Sequence, residues 1–165
     1  MKLKTLHDLY VNELKDLYSA EHQILTALPK MIKAATAPEL KAALEDHNEV
    51  TKGQVRRLEK IFKLLDTSPK GKKCKAMEGL LEEGKELMSE DAEPSIMDAG
   101  LIAAGQRVEH YEMAGYGCVR TYAALLGYKE AADLLQQTLD EEGEADKKLT
   151  DLAETVINVE ALQKA

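Results

Sequence analysis

Several carboxylates occupy positions where an amphipathic helix would otherwise carry an apolar residue. Glu21 lies four residues after Leu17 and three before Ile24, so it falls on the apolar face of a predicted helix. Glu109 and Glu112 lie three residues apart on the apolar face of another predicted helix. An ionised carboxylate on such a face is unfavourable unless it is paired or binds a metal ion. These positions therefore predict a polar site inside the protein.

Two further predicted helices carry polar side chains at the same level. Glu142 lies on the stripe between Thr138 and Leu149, and Asp146 follows it by one helical turn. His47 lies near the middle of the remaining helix. Carboxylates and imidazoles on four facing helices are what a two-metal site in a helical bundle requires, and such donors suit iron or manganese. We predict two ions, with iron favoured over manganese, bound by Glu21, His47, Glu109, Glu112, Glu142 and Asp146.

Each of these residues also has a purely structural explanation. A single glutamate or aspartate at the edge of an apolar stripe is commonly paired with lysine or arginine, which is the favoured explanation for Glu112 or Asp146 taken alone. A single His47 is more typical of a hydrogen-bonded core histidine. The combination of Glu21, Glu109 and Glu142 on separate apolar stripes favours metal binding instead.

The overall composition limits the partners and the location. The chain has 165 residues, which suits one domain over residues 1–165, and its net charge of -8 excludes nucleic acid as an expected partner. No apolar run is long enough to cross a bilayer, and the first ten residues lack the apolar core of a signal peptide. We therefore expect a cytoplasmic protein without membrane contact, in which Cys74 and Cys118 are reduced thiols.

The pattern of apolar residues predicts an all-α fold. Helical spacing covers approximately residues 3–35, 38–65, 74–88, 94–127 and 129–162. Thr5 with Asp8 predicts a start cap, while Pro38 and Pro94 fit first helical turns. The predicted architecture is a four-helix bundle of two antiparallel helix pairs, with a short extra helix in the crossover. Additional apolar residues near the start, such as Leu9 and Val11, favour a homodimer.

The two helix pairs resemble one another in sequence. Glu21-His22 in the first helix corresponds to Glu109-His110 in the third predicted long helix. In the alignment of the other two long helices, His47 corresponds to Glu142. This weak internal repeat implies that each half contributes one set of polar residues to the interior.

Four segments resemble the YciF/YciE family, and the similarity extends over nearly the whole chain. These segments are ELKDLYSAE at 13–21, CKAMEGL at 74–80, EHYEMAGY at 109–116 and LLQQTLDEE at 134–142. The resemblance implies a bacterial protein with a ferritin-like fold and a connection to stress responses. In the wider ferritin-like superfamily, Glu21 matches the first-helix ligand, and Glu109 with Glu112 matches the Glu-x-x-Glu motif of rubrerythrin-like members. The usual Glu-x-x-His pair of the second helix is missing, because Leu44 precedes His47 by three residues.

Two hypotheses about function follow from this sequence. The first is a di-metal carboxylate protein that reacts with dioxygen or peroxide. Such a protein could act as a ferroxidase-like or peroxidase-like oxidoreductase. The second is a structural or protective stress protein that retains the bundle without catalysis. Lysine or arginine partners for Glu21 and Glu142 would favour the second hypothesis, and an inward-facing ligand set without such partners would favour the first.

Overall fold

The computed structural model describes residues 3–163, and the outermost residues of the predicted 1–165 domain lie outside this range. The secondary structure of the described chain is helical: α1 Leu6–Ala34, α2 Pro38–Leu64, α3 Lys75–Ser89, α4 Pro94–Leu125, α5 Lys129–Leu152, a π-helical turn Ala153–Ile157 and α6 Asn158–Leu162. The all-α prediction is confirmed. Within residues 3–163, none of the helices combines the length and the hydropathy needed to span a lipid bilayer.

Local sequence signals account for most of the helix ends. The Thr5 hydroxyl accepts a hydrogen bond from the Asp8 amide at 3.1 Å, while the Asp8 carboxylate accepts from the Thr5 amide at 3.0 Å. This reciprocal pair is the predicted capping box. Pro38 and Pro94 stand at the first positions of α2 and α4, where a missing amide hydrogen is tolerated. Gly127 has a φ of +79°, a left-handed conformation that favours glycine and ends α4 before the predicted residue 127.

The four long helices form a closed ring of contacts. α1 packs against α2 and α4, and α5 also packs against α2 and α4, so that α1 and α5 lie diagonally opposite one another. Short connections join α1 to α2 and α4 to α5, which makes each of these pairs antiparallel. The crossover helix α3 packs on α1 and α4. The predicted order of helix pair, crossover and helix pair is confirmed.

The interior contains two apolar clusters. The crossover cluster includes Ile24, Leu28, Leu44, Val108 and Leu149 and extends to Met77 of α3. The distal cluster includes Leu14, Leu17, Leu58, Phe62, Tyr116, Val119 and Leu135. On the long helices, the buried polar residues other than Asp98 lie near the boundary between the two clusters. The bundle therefore holds a polar layer between two apolar regions.

The last predicted helix, residues 129–162, is not continuous. A π-helical turn at Ala153–Ile157 separates α5 from α6. Leu149, Ala153, Ile157 and Ala161 are all buried at intervals of four residues. Positions four apart drift around the axis of a helix with 3.6 residues per turn, and the wider π turn offsets this drift. The interruption thus keeps the end of the chain packed on α4.

A buried carboxylate fastens the link between α1 and α2 to the start of α4. The Asp98 side chain accepts hydrogen bonds from the Thr36 amide at 2.7 Å, the Thr36 hydroxyl at 2.5 Å and the Ala37 amide at 2.8 Å. Asp98 is almost fully buried. Because the link has no regular structure of its own, these hydrogen bonds satisfy donors that would otherwise lack partners.

We expect Asp98→Ala to lower the free energy of unfolding by about 1.5 to 3 kcal/mol, because it removes a buried carboxylate that accepts hydrogen bonds from three part-buried donors. Urea denaturation measures this change, and Asp91→Ala in the exposed loop before α4 is the control with little expected effect. Equal stability of the two variants would contradict a clamping role for Asp98.

Candidate metal centre

Three of the four long helices bring ionisable side chains to a single point. One potential ligand atom from each of His47, Glu109, Glu112 and Glu142 lies within 4.8 Å of those of the other three, and all four residues are buried. His47 Nε2 is 3.4 Å from Glu109 Oε1. The spacing of three residues between Glu109 and Glu112 puts both on the inner face of α4, as the sequence predicts. Four donors at such distances can surround a cation.

Glu21 reaches the same layer from α1. Its side chain is fully buried, and its Oε1 accepts a hydrogen bond from the hydroxyl of Tyr116 on α4. Burial raises the pKa of Glu21, and the charge of Glu142 raises it further. We call Glu21, His47, Glu109, Glu112 and Glu142 together the polar layer.

Gln54 is a polar residue of the centre that the predicted ligand set does not include. Its Nε2 donates a hydrogen bond to Glu142 Oε1, and the side chain is fully buried on α2. It lies seven residues after His47, which is two turns along the same face of the helix. A buried glutamine on an apolar stripe is the sequence signal that would have revealed it.

The polar layer contains many buried atoms that lack a hydrogen-bond partner. Within the described part of the chain, six such atoms belong to the five residues: Glu21 Oε2, His47 Nε2, Glu109 Oε2, Glu112 Oε1, Glu112 Oε2 and Glu142 Oε2. Native proteins rarely leave buried polar atoms unpaired, and a concentration of them at one point is typical of a ligand-binding site. A cation is the partner that satisfies carboxylate oxygens and an imidazole nitrogen together.

Positively charged side chains do not neutralise the layer. Among residues 3–163, no lysine or arginine forms an ion pair with Glu21, Glu109, Glu112 or Glu142. The guanidinium of Arg57 binds the neighbouring Glu141 instead, with a 2.7 Å hydrogen bond from one of its nitrogens. An inward-facing ligand set without lysine or arginine partners favours metal binding over a structural role.

Asp146 lies outside the group of four. It is half-buried one turn after Glu142. Its Oδ1 is 3.2 Å from the side-chain Nε2 of Gln106 and 3.2 Å from His110 Nε2. His110 itself is exposed. These contacts connect Asp146 with α4 at the edge of the polar layer.

Burial changes the acid-base behaviour of the polar layer. It is the main cause that raises the pKa of Glu21, Glu109 and Glu112 well above the ordinary value for glutamate, and the charge of Glu142 adds to it. Burial also lowers the pKa of His47, against the opposing charges of Glu142 and Glu141. The imidazole is therefore neutral near pH 7, which is the form that binds metals.

The family model described as "Domain of unknown function (DUF892)" matches residues 5–162. The chain belongs to this family. Protein YciF of Escherichia coli strain K12 is 44% identical over 166 residues, and the match covers 100% of both chains. The resemblance to the YciF/YciE family is thereby confirmed.

Three solved structures have the same fold as this chain. The crystal structure of the E. coli stress protein YciF matches 94% of this chain and 99% of its own, with a TM-score of 0.91. YcfI of Rhodopseudomonas palustris, a proposed structural protein, is 41% identical to this chain. The match covers 90% of this chain and 95% of YcfI, with a TM-score of 0.88. A Xanthomonas campestris protein, only 21% identical, shares the fold over 97% of this chain and 99% of its own with a TM-score of 0.77.

The raised pKa values give the metal-free protein a distinctive pH dependence. The folded state retains protons on Glu21, Glu109 and Glu112 that the unfolded chain releases near pH 4. The resulting stabilisation is complete below that pH and is lost as the pH rises through the folded pKa values. We therefore expect the free energy of unfolding to decrease between pH 5.5 and pH 8, by about 1.4 kcal/mol per pH unit for each proton retained.

Urea denaturation of chelator-treated protein measures this slope. Glu112→Gln cannot ionise and is expected to show a shallower decrease over the same interval. A wild-type stability that is constant or increases with pH would contradict the assigned protonation of the polar layer.

Proposed function

We propose that this protein binds two metal ions, iron or manganese, in the polar layer and acts in a stress response through chemistry with dioxygen or peroxide. The proposed ligands are Glu21, His47, Glu109, Glu112 and Glu142, with Asp146 at the edge of the site. The observation that carries the proposal is the set of six buried donor atoms without partners.

The free energy lost when buried polar atoms have no partner favours bound cations in the polar layer. Each buried polar atom without a partner destabilises the folded state by about 1–3 kcal/mol, and more when the group is charged. If all the carboxylates were ionised and unbound, six such atoms would offset much of the stability of an ordinary domain, which is about 5–15 kcal/mol. Shared protons relieve part of this in the metal-free protein, whereas cations would bind the carboxylates and the imidazole together.

Neighbouring residues orient two of the carboxylates for this task. The Tyr116 hydroxyl holds Glu21 Oε1 and the Gln54 amide holds Glu142 Oε1, which leaves Oε2 of each carboxylate free. Such hydrogen bonds fix the direction in which a ligand atom points. When bound, iron or manganese supplies redox chemistry and Lewis acidity. The apolar clusters on both sides limit the access of water to the site.

The donor types support iron or manganese over softer metals. The layer offers carboxylate oxygens and one imidazole, which hard divalent ions prefer, and it contains no thiolate. The two cysteines lie elsewhere: Cys118 is exposed, and the buried Cys74 sulfur is 2.9 Å from the Tyr111 hydroxyl. Zinc and copper sites that depend on cysteine are therefore disfavoured.

The connection with stress is supported by the 44% identity to YciF, which is described as a stress protein of E. coli. The second candidate is a structural or protective role without catalysis. The related YcfI is named as a proposed structural protein, which favours this second role. The absence of lysine or arginine partners for the polar layer within residues 3–163 supports the metal-binding alternative. Measured metal content distinguishes the two.

We expect Glu109→Ala to abolish metal binding while leaving the stability of the metal-free protein unchanged or increased. Glu109 is nearly fully buried and has an unpartnered oxygen, so without a cation it contributes an unfavourable desolvation that alanine removes. Alanine is also the strongest helix former. Inductively coupled plasma mass spectrometry measures the metal content, with two ions per chain expected for the wild type.

The control is Glu45→Ala, which removes an exposed carboxylate from α2 and should leave metal content unchanged. Iron(II) or manganese(II) at a hundredfold excess over Kd should stabilise the wild type and the control by about 2.7 kcal/mol for each ion bound, and Glu109→Ala by much less. If Glu109→Ala destabilises the metal-free protein by about 3–5 kcal/mol, Glu109 anchors a buried charge pair and the structural role is supported.

A further inference from the structure

A cavity of about 210 Å³ adjoins the polar layer on the side of the crossover cluster. His47 and Glu109 form part of its wall. The remaining wall is mainly apolar and includes Leu28, Val108 and Leu149. The cavity therefore connects an apolar space directly with two of the proposed metal ligands, both of which have an unpartnered atom.

Small residues on all four long helices create this space. Ala27 lies on α1, Ala43 on α2, Gly105 on α4 and Ala145 on α5, and each of them lines the cavity. A single small residue is ordinary in a helical core. Four around one volume leave unfilled space that larger side chains would otherwise occupy, and unfilled apolar space lowers stability.

The size of the cavity suits a small organic molecule. An apolar cavity of about 150 Å³ is known to remain dry and to bind benzene, while a water molecule occupies about 30 Å³. The volume here is therefore sufficient for a single aromatic ring with a small substituent or for a short aliphatic chain.

The charged residues near the cavity disfavour an anionic ligand. The part of the wall that comes from α2 and α5 includes three exposed or half-buried acidic residues, Asp46, Glu141 and Glu144. The one lysine of the wall, Lys148, is already paired with Asp46 at 2.9 Å. Glu141 is likewise paired with Arg57, so Glu144 is the one of these three carboxylates that forms no ion pair within residues 3–163, and its charge would repel a carboxylate-bearing ligand but not an uncharged molecule.

We propose that this cavity binds a small, uncharged and mainly apolar organic molecule and holds it against His47 and Glu109. The role of that molecule as a substrate rests on the proposed function of the metal centre. The binding of that molecule does not depend on the metal centre, because the residues of this chain form the cavity by themselves.

Toluene is the probe, and the full-length chain is titrated after treatment with chelator. We expect saturable binding in two-dimensional NMR spectra, with nuclear Overhauser contacts from toluene to Val108 and Ala145. Ala145→Leu fills the cavity from α5 and should weaken binding at least about tenfold, while Ala132→Leu on the same helix lies outside the cavity and should not. Benzoate, which adds a negative charge to the same ring, should bind at least about tenfold more weakly than toluene.

Ala27→Leu fills the same space from α1 and replaces Ala145→Leu if that variant does not fold. The proposal is overturned if toluene does not saturate, if the filling variants bind it as well as the wild type, or if benzoate binds equally well. Metal content is measured separately. Wild type that binds metal without binding toluene refutes the cavity proposal alone, and wild type that binds toluene without binding metal refutes the proposed function alone.

Discussion

The constraint on which this structure depends is the burial of five ionisable side chains in one layer of a helical bundle. Glu21, His47, Glu109, Glu112 and Glu142 lie between two apolar clusters, where carboxylates are poorly solvated. Burial raises the pKa of Glu21, Glu109 and Glu112 well above the ordinary value for glutamate. A protein that only needed stability would fill these positions with apolar residues, which surround the layer on both sides.

Other features of the interior are arranged around this layer. Tyr116 and Gln54 each satisfy one oxygen of a carboxylate and leave the other available. Arg57, which could have neutralised the layer, is engaged by Glu141. The apolar cavity adjoins the layer through His47 and Glu109. The proposed function therefore has an apolar space directly beside the candidate cation site.

The sequence could predict the elements and most of the site because both follow from helical periodicity. Glu21 and Glu142 could be placed in the interior because each lies on the apolar stripe of its own helix. The π turn could not be predicted, since it depends on packing against α4, and the role of Asp98 depends on a contact between residues far apart in the chain. The cavity results from small residues on four helices, which local patterns cannot bring together.

Anomalous diffraction from crystals of protein grown with iron and manganese tests the metal assignment most directly. Data collected on either side of the iron and manganese absorption edges locate and identify bound ions independently of activity. We predict two anomalous peaks per chain within coordination distance of His47, Glu109, Glu112 and Glu142. Crystals that show no peak in the polar layer, or a lysine or arginine side chain in its place, would contradict it.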